Sequence, residues 1–407
     1  MTEILLVNVS GPDRPGVTSA VSAVLAQHGA TVLDIGQAVI HDTLNLGLLA
    51  WVPRRGEVGA AMEELRATLR ALGLEVRFEP VSDAAYRHWV GQQGKPRHIV
   101  TLLARAILAE HIARVTAVIS AHGLNIDKIV RLSGRVALES AARDSKACVE
   151  FSVRGETPDL AQFRSSLLEL STALDIDIAY QEDSIFRRHR RLVAFDMDST
   201  LIENEVIDEL ALRAGVGPQV AAITERAMRG ELDFRASFRE RLALLKGLPE
   251  TVLDAVYAGL TLTEGAEHLI TTLKKLGYKT AILSGGFSCI GERIQTRLGI
   301  DYLFANELEI RDGVVTGEVR GEIVDATRKA ELLRQLAARE GISLEQTIAV
   351  GDGANDLLML GVAGLGIAFR AKPIVRASAK QSISQLGLDS ILYLMGISDQ
   401  DARAPHS

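Results

Sequence analysis

Apolar and polar positions follow two different rhythms along this 407-residue chain. Up to about residue 180 the pattern runs twice through one order. In the first copy an apolar strand at residues 4–9 leads into an amphipathic helix at 17–27. Strand-like stretches at 37–40 and 44–52, a helix at 58–72 and a strand at 74–78 follow. The second copy places the corresponding elements at 99–104, 112–121, 130–132, 147–153, 159–174 and 175–180. Each first helix runs into a similar segment, QHGATVLDI at 27–35 and AHGLNIDKI at 121–129. This repeated β-α-β-β-α-β succession is the ferredoxin-like order. Residues 79–96, with turn formers and Gly91 and Gly94, are the expected joint between the copies. Residues 181–191, QEDSIFRRHRR, read as a charged linker or edge helix.

Beyond that linker, short apolar runs alternate with helical patterns. Strands are expected at 192–195, 280–283, 302–305, 347–350 and 365–368, and helices at 265–276, 286–298 and 328–339. Such alternation defines an α/β domain with a doubly wound parallel sheet. Residues 205–260 are helical in pattern with no convincing strand. An insert of that length is too large for a simple crossover and is expected to cap the strand ends. The organisation is therefore a ferredoxin-like α+β domain at 1–85, a second at 95–182, and an α/β domain at 183–407 with a helical cap at about 205–262. Residues 399–407, DQDARAPHS, read as a frayed polar tail.

Composition narrows the classes. Hydrophobic residues make up 47% and charged residues 24%, a globular balance. A net charge of -7 gives no basic surface for nucleic acid or anionic lipid. Cys148 and Cys289 show no paired spacing, which fits a reducing compartment and excludes a disulfide framework or a cysteine metal site. The N-terminal segment lacks a secretion-signal pattern, and no uncharged apolar run reaches the roughly 18 residues of a membrane helix. A soluble, cytoplasmic protein is expected.

The chemistry collects at strand ends, where open α/β sheets bind ligands. The strand at 192–195 ends in Asp196, with Asp198 close behind. The strand at 280–283 ends in Ser284-Gly285-Gly286, and the strand at 347–350 in Gly351-Asp352-Gly353-Ala354-Asn355-Asp356. Lys329 opens the helix before the last of these. Taken singly, each has a plain reading as a cap, a turn or a solvated helix residue. Their arrival in order on one sheet edge favours phosphoryl transfer. Asp196, Asp198 and Asp352 are hard oxygen ligands of the kind Mg²⁺ takes. Ser284 and the N–H groups after it can hold phosphate oxygens, and Lys329 adds a point charge. One carboxylate can attack phosphorus, and the second can protonate the leaving oxygen.

These motifs resemble the four motifs of the haloacid-dehalogenase-like superfamily. With Glu205, Met228, Phe234 and Arg241 added, residues 191–380 are most similar to its phosphoserine phosphatases. The ferredoxin-like copies resemble ACT domains, the first through residues 4–52 with Gly11-Pro12-Asp13-Arg14-Pro15-Gly16, the second more weakly. That loop can cradle a carboxylate at a helix start, although a tight turn is the favoured reading; residues 105–110 carry no glycine at the matching place.

The resemblance implies Asp196 as nucleophile and metal ligand, and Asp198 as general acid/base that binds Mg²⁺ through its backbone carbonyl. It implies Asp352 as the third metal ligand and Asp356 as support for the metal shell. Ser284, Gly285 and Lys329 would hold phosphate, and Asn355 would position substrate or phosphate. Arg241 can take the α-carboxylate of phosphoserine, Glu205 its ammonium, and Met228 and Phe234 can wall the site against water. Without the resemblance, these four cap residues would read as surface charges and cap core. The implied activity is Mg²⁺-dependent hydrolysis of phosphoserine at the end of serine synthesis, by a homodimer with serine as an effector of the ACT-like half. Two alternatives stay open: a phosphatase of another small phosphoester, and an amino-acid sensor with a non-catalytic phosphatase-like half.

Overall fold

The computed structural model describes residues 3–53, 57–92, 94–136 and 145–403, without the side chains of Glu3 and Met228. The chain divides into two compact units, Met1–Lys95 and Pro96–Ser407. In the first, strands β1 (Glu3–Pro12), β2 (Thr31–Ile40), β3 (Thr43–Val52) and β4 (Glu75–Val81) form an antiparallel sheet in the order β2-β3-β1-β4. Helices Val17–Gln27 and Glu57–Ala71 cover one face. Alternation in β3 sends Leu44, Leu46, Leu48 and Ala50 inward against Val21, Leu25, Leu65 and Leu69. Gly16, at φ 93°, starts the first helix in the left-handed conformation that glycine adopts without strain.

The second unit begins with the same arrangement. Strands β5 (Arg97–Ala104), β6 (Asn125–Arg131), β7 (Ala147–Arg154) and β8 (Asp177–Glu182) pair in the order β6-β7-β5-β8. A seven-stranded sheet follows, ordered β12-β11-β10-β9-β13-β14-β15. Its strands are β9 (Leu192–Phe195), β10 (Lys279–Phe287), β11 (Tyr302–Arg311), β12 (Val314–Arg320), β13 (Thr347–Gly351), β14 (Leu365–Phe369) and β15 (Gln381–Ile383). β9 is central and runs parallel to both β10 and β13. All four of its side chains are buried, because helices pack on both faces of a parallel sheet. The observed classes, ferredoxin-like sheets and a doubly wound sheet, match the expected fold. Helices Val206–Arg213, Gly217–Met228, Phe234–Ala243 and Thr251–Gly259 fill the insert after β9.

Several local expectations are corrected. The joint at 79–96 carries a helix, Asp83–Gly91, whose first turn is capped by the Ser82 hydroxyl accepting from Ala85 N–H at 3.1 Å. No residue of that helix is buried, so it leaves no apolar periodicity to read. Strands β12 and β15 lie beyond the expected set, β12 pairing antiparallel with β11.

The charged segment 181–191, read as a linker or edge helix, holds the end of β8 and one helical turn at Ile185–Arg188, and its Arg187 and Arg190 are packed inward. Arg187 is only 1% exposed and forms an ion pair with Glu150 on β7, and Arg190 is buried beside Gln181. Residues Asp399–Arg403 form a short helix rather than a frayed tail: Asp399 accepts from Gly134 N–H at 2.6 Å and from the Tyr393 hydroxyl at 2.6 Å. Residues 404–407 lie outside the described residues. Leu103, Cys148 and Ala179 of the second ferredoxin-like sheet share one apolar cluster with Leu392, Tyr393 and Met395.

Removing Glu150 leaves the Arg187 guanidinium buried without its partner. Glu150→Ala is expected to cost about 3–5 kcal/mol, read as a lower urea midpoint. A loss below about 1 kcal/mol, the worth of a surface pair, would contradict the buried-pair account.

Candidate active site

The site forms where the central strand runs out. Asp196 follows β9 with its N–H on Val350 O at 2.9 Å, so the end of β9 is tied to β13. Its Oδ1 accepts from Met197 N–H at 2.7 Å. The chain then turns sharply through Met197–Leu201, with Asp198 extended and Ser199 left-handed at φ 54°. After that turn the Asp198 Oδ1 accepts from Val206 N–H at 3.2 Å, at the start of the first cap helix. The Ser199 hydroxyl donates to Glu205 Oε1 at 2.8 Å.

Beneath the strand ends lies a charged cluster. Lys329 is fully buried, its Nζ 2.9 Å from Asp196 Oδ2 and 2.7 Å from Asp356 Oδ1. Asp356 Oδ2 accepts from Gly353 N–H at 3.0 Å. The Thr200 hydroxyl donates to Asp352 Oδ1 at 3.1 Å. Close approach explains two glycines: a Cβ on Gly351 would lie 2.4 Å from Asp356 Cγ, and one on Gly286 would lie 2.4 Å from Asp198 Oδ2. Ser284 is fully buried, its Oγ accepting from Gly286 N–H at 2.9 Å.

Above the cluster opens a cavity of about 510 Å³. The sheet side supplies Asp196, Asp198, Gly285, Asp352 and Asn355, and the cap supplies Glu205, Phe234 and Arg241. Eight of the expected site residues thus line one space. Ser284, Lys329 and Asp356 lie beneath its floor, and the Met228 side chain lies outside the described residues. Phe234 stacks on Phe238 at 6.0 Å between ring centroids and approaches Gly285, carrying the cap onto the sheet side.

Electrostatics mark the pocket as anionic. Burial raises the Asp198 carboxyl well above its ordinary range, helped by the charges of Glu205 and Asp196. Burial with Asp196 and Asp356 pushes Asp352 up to about 8. Burial and Asp196 push Asp356 up to about 6 against the opposing pull of Lys329. Burial opposes the charge on Lys329, but Asp196 and Asp356 outweigh it and raise its pKa. Burial lowers the Arg241 pKa, while Asp208, Glu205 and Asp198 favour its charge.

This donor set fits a hard divalent cation. Oxygens of Asp196, Asp352 and Asp356 lie within 4.8 Å of one another, and carboxylate oxygens are the ligands Mg²⁺ takes. Burial and the neighbouring carboxylate of Asp196 raise both Asp352 and Asp356, and a divalent cation would offset that crowding of negative charge.

Sequence reasoning missed several contributors. Asn306 is buried in β11, donates through Nδ2 to Gly285 O at 2.7 Å and accepts from Val324 N–H at 2.9 Å, so it holds the Ser284–Gly286 turn in place. Its only signal was a polar residue just past an apolar run. Thr200 stood inside the motif without an assigned task. Asp208 and Lys372 also line the cavity.

Comparison with known proteins places the chain. Residues 190–364 match the haloacid dehalogenase-like hydrolase family, and residues 3–79 match an ACT domain. A phosphoserine phosphatase of Streptomyces coelicolor is 44% identical over 98% of this chain and 94% of its own length. One from Mycobacterium tuberculosis is 42% identical over 98% of this chain and 95% of its own. A haloacid-dehalogenase family hydrolase of Salmonella enterica superposes with a TM-score of 0.63 at 36% identity, covering 74% of this chain and 99% of that one.

The chain therefore belongs to the haloacid dehalogenase-like hydrolases. Within them, it belongs to the phosphoserine phosphatase family.

A pH signature follows from Asp352. Its carboxyl is raised from 3.8 to about 8 in the fold, so between those values the folded chain holds a proton that the unfolded chain releases. Without divalent ions, stability is expected to fall with rising pH across this window by up to about 1.4 kcal/mol per pH unit. Asp352→Asn should flatten that slope, and Mg²⁺ at pH 8 should raise the melting temperature of the wild type more than that of the variant. Equal slopes in thermal unfolding at pH 5 to 8 would contradict the assignment.

Proposed function

We propose that the protein hydrolyses O-phospho-L-serine to L-serine and phosphate through an aspartyl phosphate on Asp196, as the last step of serine synthesis. The observation that carries this reading is one cavity with two faces. Its floor holds the Asp196 cluster, and its cap wall holds Glu205 and Arg241. The first handles a phosphate and the second an amino-acid head group. The shared identity with named phosphoserine phosphatases over nearly the whole chain supports the same substrate.

Asp196 is the nucleophile. Lys329 on Oδ2 and Met197 N–H on Oδ1 fix the plane of its carboxylate. Asp198 is the general acid. Its raised pKa keeps a proton available for the serine oxygen as the ester bond breaks, and the resulting carboxylate then takes a proton from the attacking water. The Gly285 N–H and Asn355 would meet the phosphate oxygens, with the buried Ser284 hydroxyl, which accepts from Gly286 N–H, and Lys329 supporting them from below. Arg241 receives the substrate carboxylate in its planar fork, Glu205 receives the ammonium, and Phe234 excludes water.

Mg²⁺ would be held by Asp196, Asp352 and the Asp198 backbone carbonyl, with Asp356 supporting them, and would neutralise charge on the phosphate oxygens. The division of the chain into two ACT-like domains and a capped phosphatase domain belongs to the same reading. The ACT match suits an amino-acid effector, with serine the first candidate, acting on a homodimer in the cytoplasm. Among the described residues, no helix is long and apolar enough to cross a membrane.

Two substitutions test the reading by phosphate release. Asp196→Asn is expected to abolish turnover. Arg241→Ala should lower kcat/KM for phosphoserine by about 10²-fold or more, as for a lost charged hydrogen bond. The same variant should leave a phosphoester without the amino-acid group nearly unaffected. Equal losses on both substrates would overturn the serine assignment while keeping the phosphatase.

A further inference from the structure

A second cavity lies away from the chemistry, where the second ferredoxin-like sheet meets the seven-stranded sheet. Tyr180 on β8 donates its N–H to Gln381 Oε1 on β15 at 2.9 Å across this seam. Beside it opens a cleft of about 500 Å³ between helix Leu160–Leu174 and the short helix Pro373–Ser378. Arg164, Arg376 and Lys380 line it, and no Asp or Glu does. In a chain of net charge -7 that is a local reversal of sign.

None of the three cations has an ion-pair partner within 4.0 Å among the described residues. Arg164 lies over the Tyr180 ring, 5.7 Å from its centroid, which holds the guanidinium at the rim. Arg376 Nε and the Ser382 hydroxyl oxygen are buried without a hydrogen-bond partner among the described residues. The Asp177 carboxylate, which Arg376 senses, is engaged by the N–H groups of Ser384 and Gln385, each at 2.8 Å.

Buried polar groups in native proteins are nearly always paired, and an unpaired charged donor is the most costly kind. Three like charges around one cleft add mutual repulsion. An anion in the cleft would relieve that repulsion and give the Arg376 guanidinium a counter-charge. The clustered donors suit a group with several acceptor oxygens, since guanidinium forks and ammonium groups match phosphate geometry. Leu167, Leu168 and Ile178 add an apolar wall.

We propose that this cleft is a second anion site, separate from the active cavity, that takes a phosphate-type oxyanion, either free or carried on a small organic molecule. The short helix Pro373–Ser378 is shared between the two cavities. Ile374 and Val375 line the active one, and Arg376, Ala377 and Ser378 line the cleft.

Hydrogen exchange of the full chain tests the site, with inorganic phosphate and phenylphosphonate as probes and chloride at equal ionic strength as control. At ten times its dissociation constant, either oxyanion is expected to slow local opening of segments 160–174 and 373–382 about tenfold. The double variant Arg164→Gln, Lys380→Gln changes two exposed side chains and should keep wild-type turnover and lose that protection. Tighter binding of phenylphosphonate supports an organic phosphate that uses the apolar wall, and equal binding supports the free ion. Protection that chloride reproduces, that survives in the double variant, or that never appears in the wild type overturns the proposal.

Discussion

The buried ammonium of Lys329 is the interaction on which the site depends. It sits at zero exposure between Asp196 and Asp356, each within hydrogen-bond distance. A charge so placed is tolerable only when its partners are close and well oriented. Parallel pairing of β9 with β13, the helix Ala326–Arg339 that carries Lys329, and the turn that brings Asp356 inward all meet that condition together. Lys329 holds the Asp196 carboxylate in one orientation and leaves the cluster with more negative charge than positive. Burial, with the charges of Asp196 and Asp356, raises the Asp352 carboxyl to about 8 in the absence of a cation, and a hard divalent ion would relieve that excess.

The cap adds selection to that chemistry. It joins the sheet domain through two adjacent strands of backbone: Glu203 N–H bonds Thr261 O at 2.9 Å, and Ile202 bridges Leu262. Glu205 follows directly on the first tether, so one short stretch of chain carries Asp196, Asp198 and the cap wall in sequence, the proposed nucleophile, acid and ammonium site. Arg241 and Phe234 come from a later cap helix, and Phe234 reaches Gly285 over the cavity. In the proposed reading the floor would take the phosphate of a monoester, and the wall would restrict which one is held for attack.

Much of this was legible in the chain. The run 192–195 reads as a buried strand because parallel strands covered on both faces lose their alternation. Asp196, Asp198, Asp352, Glu205, Phe234 and Arg241, read as one site, line one cavity. What escaped reading depends on distant partners. Arg187 and Arg190 look solvated until Glu150 and Gln181 are placed beside them by the second ferredoxin-like sheet. Helix Asp83–Gly91 buries nothing, and the helix Asp399–Arg403 docks through Asp399 on Gly134 and Tyr393. Asn306 gains its task only from the Gly285 carbonyl opposite it. Local pattern encodes strands, caps and strand-end chemistry, whereas buried polar pairs across elements are set by tertiary context.

In the proposed mechanism the carboxylate fixed by Lys329 is the one that attacks phosphorus. Rapid acid quench of the enzyme during turnover of phosphoserine labelled in its phosphate, followed by peptide mapping, reads it directly. Acid-stable, alkali-labile label on Asp196 alone is expected. Label on another residue, or none during steady turnover, would contradict it.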